Sequence, residues 1–198
     1  MLSFLYPLFV KQKLFFLFIM ISASSCDSII KNIYGINEPT SNQAQITALA
    51  HKSGVQQFYY LDKNKYLSFI RKKLTDSNTI QKFCQPLQIL SFKDGVLHSM
   101  SVNCNAQGFP NLKWAIQPDS LGRFSSGNVS QIPEQIYTQN YLSACGVDST
   151  LYDAKNQIVV QWSYLTGRQT RLLLKKIQKK YPKKHIIYIN NDAIFYNE

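Results

Sequence analysis

The chain has 198 residues, with 22 lysines and arginines against 11 acids and a formal net charge of +11. That balance favours anionic neighbours: phospholipid headgroups, lipopolysaccharide, acidic polymers or nucleic acid. Beyond the first 25 residues no run is long and apolar enough to cross a bilayer as a helix, which excludes a chain with several helical spans.

The first element is hydrophobic. Lys11 and Lys13 precede an uncharged run from Leu14 to Ala23, about ten residues and far short of the ~20 that span a bilayer. Ala23-Ser24-Ser25-Cys26 follows. A short apolar core after basic residues, closed by small residues, is the pattern of an export signal. It resembles a bacterial lipoprotein signal peptide with its lipobox, although Ala23 stands where that family usually has Leu. The resemblance implies a diacylglycerol on the Cys26 thiol, cleavage just before Cys26 and acylation of the new N-terminus. Residues 1–25 are then the signal peptide, residues 26–40 a tether, and residues 41–198 one domain. Localisation is expected at the bacterial cell envelope, with inner or outer membrane left open. The alternatives are an ordinary secretory signal cut near Ala23, or an uncleaved anchor. Cleavage removes two lysines and no acid, leaving about +9 on about 170 residues, enough for one domain with a proper core.

Residues 27–40 mix polar and apolar types around Gly35 and Pro39 and read as the tether. Ser41 is a suitable cap for a helix carrying Ile46, Leu49 and Ala50 at helical spacing, with Gly54 as its stop. Val55 to Leu61 reads as a strand. Asp62 caps a second helix with Tyr66, Phe69, Ile70 and Leu74 on one face. Thr75 to Gln85 is irregular. Pro86 opens a strand from Leu87 to Phe92, Asp94-Gly95 turns it, and Val96 to Val102 returns. Residues 105–129 are rich in Gly, Pro, Asn and Ser and read as a long loop. Pro133 begins a helix to about Cys145, with Ile136, Tyr137 and Tyr141 facing inward. Gln157 to Trp162 is a buried strand, Gly167 to Tyr181 a helix with Leu173, Leu174, Ile177 and Tyr181 on one stripe, and Ile186 to Ile189 a second buried strand. Short links in strand–helix–strand order argue for parallel pairing.

Several types of chemistry find no residues here. His51, His98 and His185 lie far apart, no Cys-x-x-Cys occurs, and no metal site is expected. There is no nucleophile elbow, no Gly-rich phosphate loop and no nucleic-acid signature, so neither a cofactor nor nucleic acid is expected. With Cys26 lipidated, Cys84, Cys104 and Cys145 remain in a disulfide-permissive compartment. Cys84 and Cys104 flank the hairpin within one residue of opposite positions, which suits a structural bridge or a redox pair. The basic run Arg168, Arg171, Lys175, Lys176, Lys179, Lys180, Lys183 and Lys184 contains no acid. It is either a solvated face or a surface for anionic headgroups.

The last third resembles the start of a thioredoxin fold. Ile158 to Trp162 matches the strand, Ser163 to Gln169 the turn, and Asn190-Asn191-Asp192 the end of the next strand. Thr166 and Gln169 stand where that family has its two cysteines. A hydroxyl cannot form a disulfide, so the resemblance implies a redox-dead turn. Pro86 and the hairpin after it resemble the other half of the fold, in reversed order. The expected class is α/β: a thioredoxin-like mixed sheet flanked by helices, either circularly permuted in one sheet or split into two incomplete units. The arrangement also resembles small lipoproteins of the Bacteroidetes type. The implied role is a non-catalytic binding or assembly module that meets an envelope protein partner or headgroups through Trp162, Thr166, Gly167, Arg168 and Gln169 and through the 105–129 loop. The alternative is an envelope thiol oxidoreductase using Cys104 with Cys84 or Cys145.

Overall fold

In the computed structural model, residues 35–38, 40–102, 136–148, 156–182 and 185–196 are described. The first helix, α1 (Gln43–Lys52), is capped by Asn42, whose side chain accepts from the backbone of Ala44 and Gln45. Ser41 lies one residue outside that cap, a correction to the expected boundary. Of the expected Val55–Leu61 strand only β1 (Tyr59–Tyr60) joins the sheet; before it Val55 is buried, Gln56 and Gln57 are exposed and Phe58 is half-buried. Asp62 caps α2 (Lys63–Lys73) through the Lys65 N–H, burying Tyr66 and Ile70.

A short helix, α3 (Ser77–Phe83), occupies the segment expected to be irregular. Asp76 caps it, accepting from the Thr79 N–H at 2.8 Å and the Thr79 hydroxyl at 2.6 Å. The hairpin forms as expected from β2 (Gln88–Lys93) and β3 (Val96–Val102). Asp94 (φ 51°) and Gly95 (φ 78°) make its turn, and a bulge falls between Ser91 and Phe92. The next helix, α4, spans Thr138–Ala144. Tyr137 precedes it, bridges to Val96 and is 47% exposed, so it does not face the core as expected. Residues 133–135 lie outside the described residues. The final unit is β4 (Asn156–Trp162), a 3-10 turn (Tyr164–Thr166), α5 (Gly167–Lys180), β5 (Ile186–Asn190) and a closing 3-10 turn (Asp192–Phe195).

All five strands form one mixed sheet in the order β1-β5-β4-β2-β3. β1, β5 and β4 run parallel, β2 is antiparallel to β4, and β3 is antiparallel to β2. β4 is therefore central and buried on both faces, which explains its Ile158-Val159-Val160 centre and the buried Trp162 at its end. Alternation along the strands divides the core. Leu90, Phe92, Val159, Ile187 and Ile189 meet Tyr66, Ile70, Phe83 and Tyr141 of α2, α3 and α4. Leu87, Ile89, Ile158, Val160 and Trp162 meet Ile46 and Leu49 of α1 and Leu173, Leu174 and Ile177 of α5. The outer side of α5 is left exposed, with Arg168, Leu172, Lys175 and Lys179 on it.

Candidate functional site

The β4–α5 turn is assembled around one buried carboxylate. β4 and β5 run side by side, with Trp162 opposite Asn190, so Asp192 arrives beneath the residue after Trp162. Asp192 is 2% exposed. Its Oδ1 accepts from the Ser163 hydroxyl and, at 2.9 Å, from the Tyr164 N–H. Its Oδ2 accepts from the Asn190 amide at 2.7 Å. Ser163 in turn accepts from the Leu165 N–H at 3.0 Å. The Thr170 hydroxyl donates to the Ser163 carbonyl at 2.6 Å and lies 3.1 Å from the Thr166 hydroxyl. Such satisfied, charge-assisted bonding fixes the turn in one conformation.

Residues 35–38, within the stretch expected to be a tether, are bonded across this turn. The Asn37 N–H donates to the Leu165 carbonyl at 2.8 Å, and the Asn37 amide donates to the Tyr164 carbonyl at 2.6 Å. The Arg168 N–H donates to the Gly35 carbonyl at 3.2 Å. Gly35 has φ +63° and lies against Arg168, where a Cβ would overlap the arginine's own. A Cβ at Gly167 would stand 2.9 Å from the Asn37 side-chain carbon, so that side chain would have to shift. The Thr40 N–H then donates to the Tyr196 hydroxyl at 2.7 Å, and the Lys63 ammonium donates to the Tyr196 carbonyl at 2.8 Å. The start of the domain is thus tied to its last turn.

This packing corrects the surface expected from sequence. Trp162, Thr166, Gly167 and Gln169 are buried, and only Arg168 of that set is exposed. The turn therefore cannot present those four side chains to a partner while the tether segment is seated. Gln169 is 1% exposed, and neither its amide nitrogen nor its carbonyl oxygen has a hydrogen-bond partner. An orphaned amide in the interior costs free energy that an apolar side chain of the same size does not. Gln169→Met is expected to raise the folding free energy by about 1–2 kcal/mol, read from the urea midpoint. A loss of stability would mean that the amide is bonded.

Beneath the sheet end lies a second polar set. The Gln161 amide donates to the Tyr141 hydroxyl at 2.7 Å and its oxygen accepts from the Asn191 amide at 3.3 Å. The Asn191 amide also reaches the Gln85 carbonyl at 3.0 Å, and the Tyr66 hydroxyl donates to the Phe83 carbonyl at 2.8 Å. Burial pushes the phenols of Tyr66 and Tyr141 well above the ordinary tyrosine value, and it pushes the Cys145 thiol up likewise. Each group is an acid whose folded form holds its proton more tightly than the unfolded chain. Their contribution is complete below about pH 8 and is lost progressively as pH rises from the unfolded thiol and phenol values, about 8.5–10, towards the higher folded ones. Urea midpoints at pH 7 and pH 10 are expected to show the lower stability at pH 10. A flat or rising profile would contradict these protonation states.

The cysteines divide differently from expectation. Cys84 is not on the hairpin ladder: it is the residue that ends α3, followed by Gln85 and the buried Pro86. The count of opposite strand positions therefore does not apply to it. Cys104 lies outside the described residues. Among the described residues Cys84 and Cys145 are free thiols. Burial raises the Cys84 thiol above its usual value, with Arg71 partly opposing, and Cys145 is wholly buried. A protonated thiol is a poor nucleophile in disulfide exchange.

The basic residues are placed as the helical pattern requires. Arg168, Lys175, Lys179 and Lys180 are exposed, Arg171 and Lys176 are half-buried, and Leu172 stands among them at 41% exposure. Lys183, Lys184, Cys26 and the 105–129 loop lie outside the described residues. An open groove of about 490 Å³ between α1 and β1 is lined by Thr47 and His51 of α1 and by Gln56 to Tyr60. No metal-binding cluster occurs among the described residues, and none of their helices is long and apolar enough to cross a membrane. Comparison with family models, with curated proteins and with solved structures returned no match. The class that the geometry defines is an α/β domain with a mixed five-stranded sheet flanked by helices.

Proposed function

We propose that the chain is a lipid-anchored cell-envelope protein whose domain is a circularly permuted thioredoxin-like sheet, without redox chemistry, serving as a binding or assembly module. The β4–α5–β5 unit and the β2–β3 hairpin share one sheet, with β4 beside β2. That supports a single permuted sheet over two separate units. The observation that carries the loss of redox function is the β4–α5 turn. Thr166 and Gln169 are buried in it, and the Gly35–Glu38 segment is bonded across it. Neither residue can exchange a disulfide. The high proton affinity of the Cys84 and Cys145 thiols supports the same reading.

Two measurements test it. Radiolabelled palmitate fed to a bacterial host expressing the chain should label the wild type and not Cys26→Ser; equal labelling would contradict lipidation at that residue. The purified chain should not accelerate reduction of a disulfide substrate such as insulin by dithiothreitol. Acceleration that disappears in Cys104→Ser would identify an oxidoreductase instead.

A further inference from the structure

The outer face of α5 combines three features. Its sequence, GRQTRLLLKKIQKK, has six cations and no acid. Helical geometry places residues three and four apart on one side, so Arg168, Leu172, Lys175 and Lys179 form one line along the axis, with Arg171 and Lys176 flanking it. The opposite side, Leu173, Leu174 and Ile177, is fully buried in the core, so the orientation of the helix is fixed and the basic side faces out. Among the described residues, Arg171, Lys175, Lys176 and Lys179 make no ion pair. Leu172 is an apolar side chain in the middle of this charge, 41% exposed.

The tether meets the domain at one end of this same face, where the Gly35 carbonyl accepts from Arg168. Only nine positions separate Cys26 from Gly35. Fully extended, that span reaches about 30 Å. The helix itself is about 20 Å long. A membrane attachment at Cys26 therefore holds the Arg168 end of α5 within about 30 Å of the bilayer, one and a half helix lengths.

We infer that the outer face of α5 docks on an anionic phospholipid surface, its cations against the headgroups and Leu172 in the interfacial layer. The inference rests on the membrane-anchored reading above and names the partner of that module. Charge complementarity selects an anionic surface over a neutral one. An apolar side chain at the centre of the cations fits an interface that accepts apolar groups a few ångströms deep. A nucleic acid or an acidic polymer would use the cations and leave Leu172 in water.

The experiment uses the full chain reconstituted with vesicles of phosphatidylcholine alone or mixed with phosphatidylglycerol. Flotation reports attachment, and amine-reactive labelling read by peptide mass spectrometry reports which lysines are covered. On anionic vesicles, labelling of Lys175 and Lys179 should fall by about fivefold or more, and high salt should restore it. Lys65 and Lys72 of α2 should label equally on both vesicles. Lys175→Glu with Lys179→Glu should abolish protection of Lys176 and Lys180. Leu172→Ser, which keeps every charge, should reduce protection by about threefold. A chain that floats but whose α5 lysines label equally on both vesicles overturns the inference and leaves anchorage standing. A chain that floats with neither vesicle fails the anchorage reading itself. Protection by a short DNA duplex and none by anionic vesicles would also overturn it, assigning the face to a polyanion.

Discussion

Asp192→Ala is expected to lower folding stability by about 3–5 kcal/mol, the larger part from donors left unpaired in the interior. The carboxylate accepts from the Ser163 hydroxyl, the Tyr164 N–H and the Asn190 amide, and is itself 2% exposed. Removing it leaves the buried Ser163 hydroxyl without this acceptor, the Asn190 amide with only the long 3.5 Å bond to the Trp162 carbonyl, and the half-buried Tyr164 N–H unpaired. Hydrogen bonds to a charged group contribute about twice a neutral one, so the loss exceeds that of an ordinary buried pair. The damage should also spread, because Ser163 caps the 3-10 turn and its carbonyl holds Thr170. The tether segment bonds to the carbonyls of Tyr164 and Leu165 and should undock with the turn. Asp192→Asn keeps one acceptor oxygen and should lose roughly half as much. Urea unfolding of both variants checks the order. Equal stability of Asp192→Ala and the wild type would mean that the turn is not organised by this carboxylate.

Trp162→Ala should cost about 3–5 kcal/mol, the usual range for truncating a fully buried aromatic. Trp162 is the largest fully buried side chain and stacks edge-on with Phe58 at 5.3 Å between ring centres. It fills the space between the end of β4 and the α1–α5 layer, so its loss leaves a cavity that fixed strands cannot close. Its indole N–H has no partner. Trp162→Phe removes that orphan donor while keeping an aromatic ring, so it should cost only about 1 kcal/mol. A Phe variant as unstable as the Ala variant would show that the indole N–H is bonded after all.

The C-terminal unit is legible in the sequence because the apolar residues of β4, α5 and β5 recur at strand and helix spacing, and Asp94-Gly95 marks the separate β2–β3 hairpin directly. α3 was not, since Ile80 and Phe83 alone cannot establish a helical stripe; the Asp76–Thr79 cap was its one signal. Tyr137 was misplaced because an aromatic beside Ile136 reads as core, yet its backbone is extended and bridges to Val96. The turn was misread for a deeper reason. Thr166 and Gln169 are polar types that ordinarily face water, and their turn is bonded to Gly35 and Asn37, more than 120 positions away in sequence. Nothing in local periodicity announces such a contact. The outer face of α5 was fully visible, because helical spacing alone separates its cations from its leucines.

The most direct measurement is the intact mass of the chain extracted from membranes, before and after reduction and thiol alkylation. A lipid-anchored module requires the mass of residues 26–198 plus acyl chains, with Cys26 beyond reach of the alkylating reagent. A mass without lipid, cleaved near Ala23 or retaining residues 1–25, with Cys26 alkylated, would contradict the anchor and with it the membrane orientation of α5.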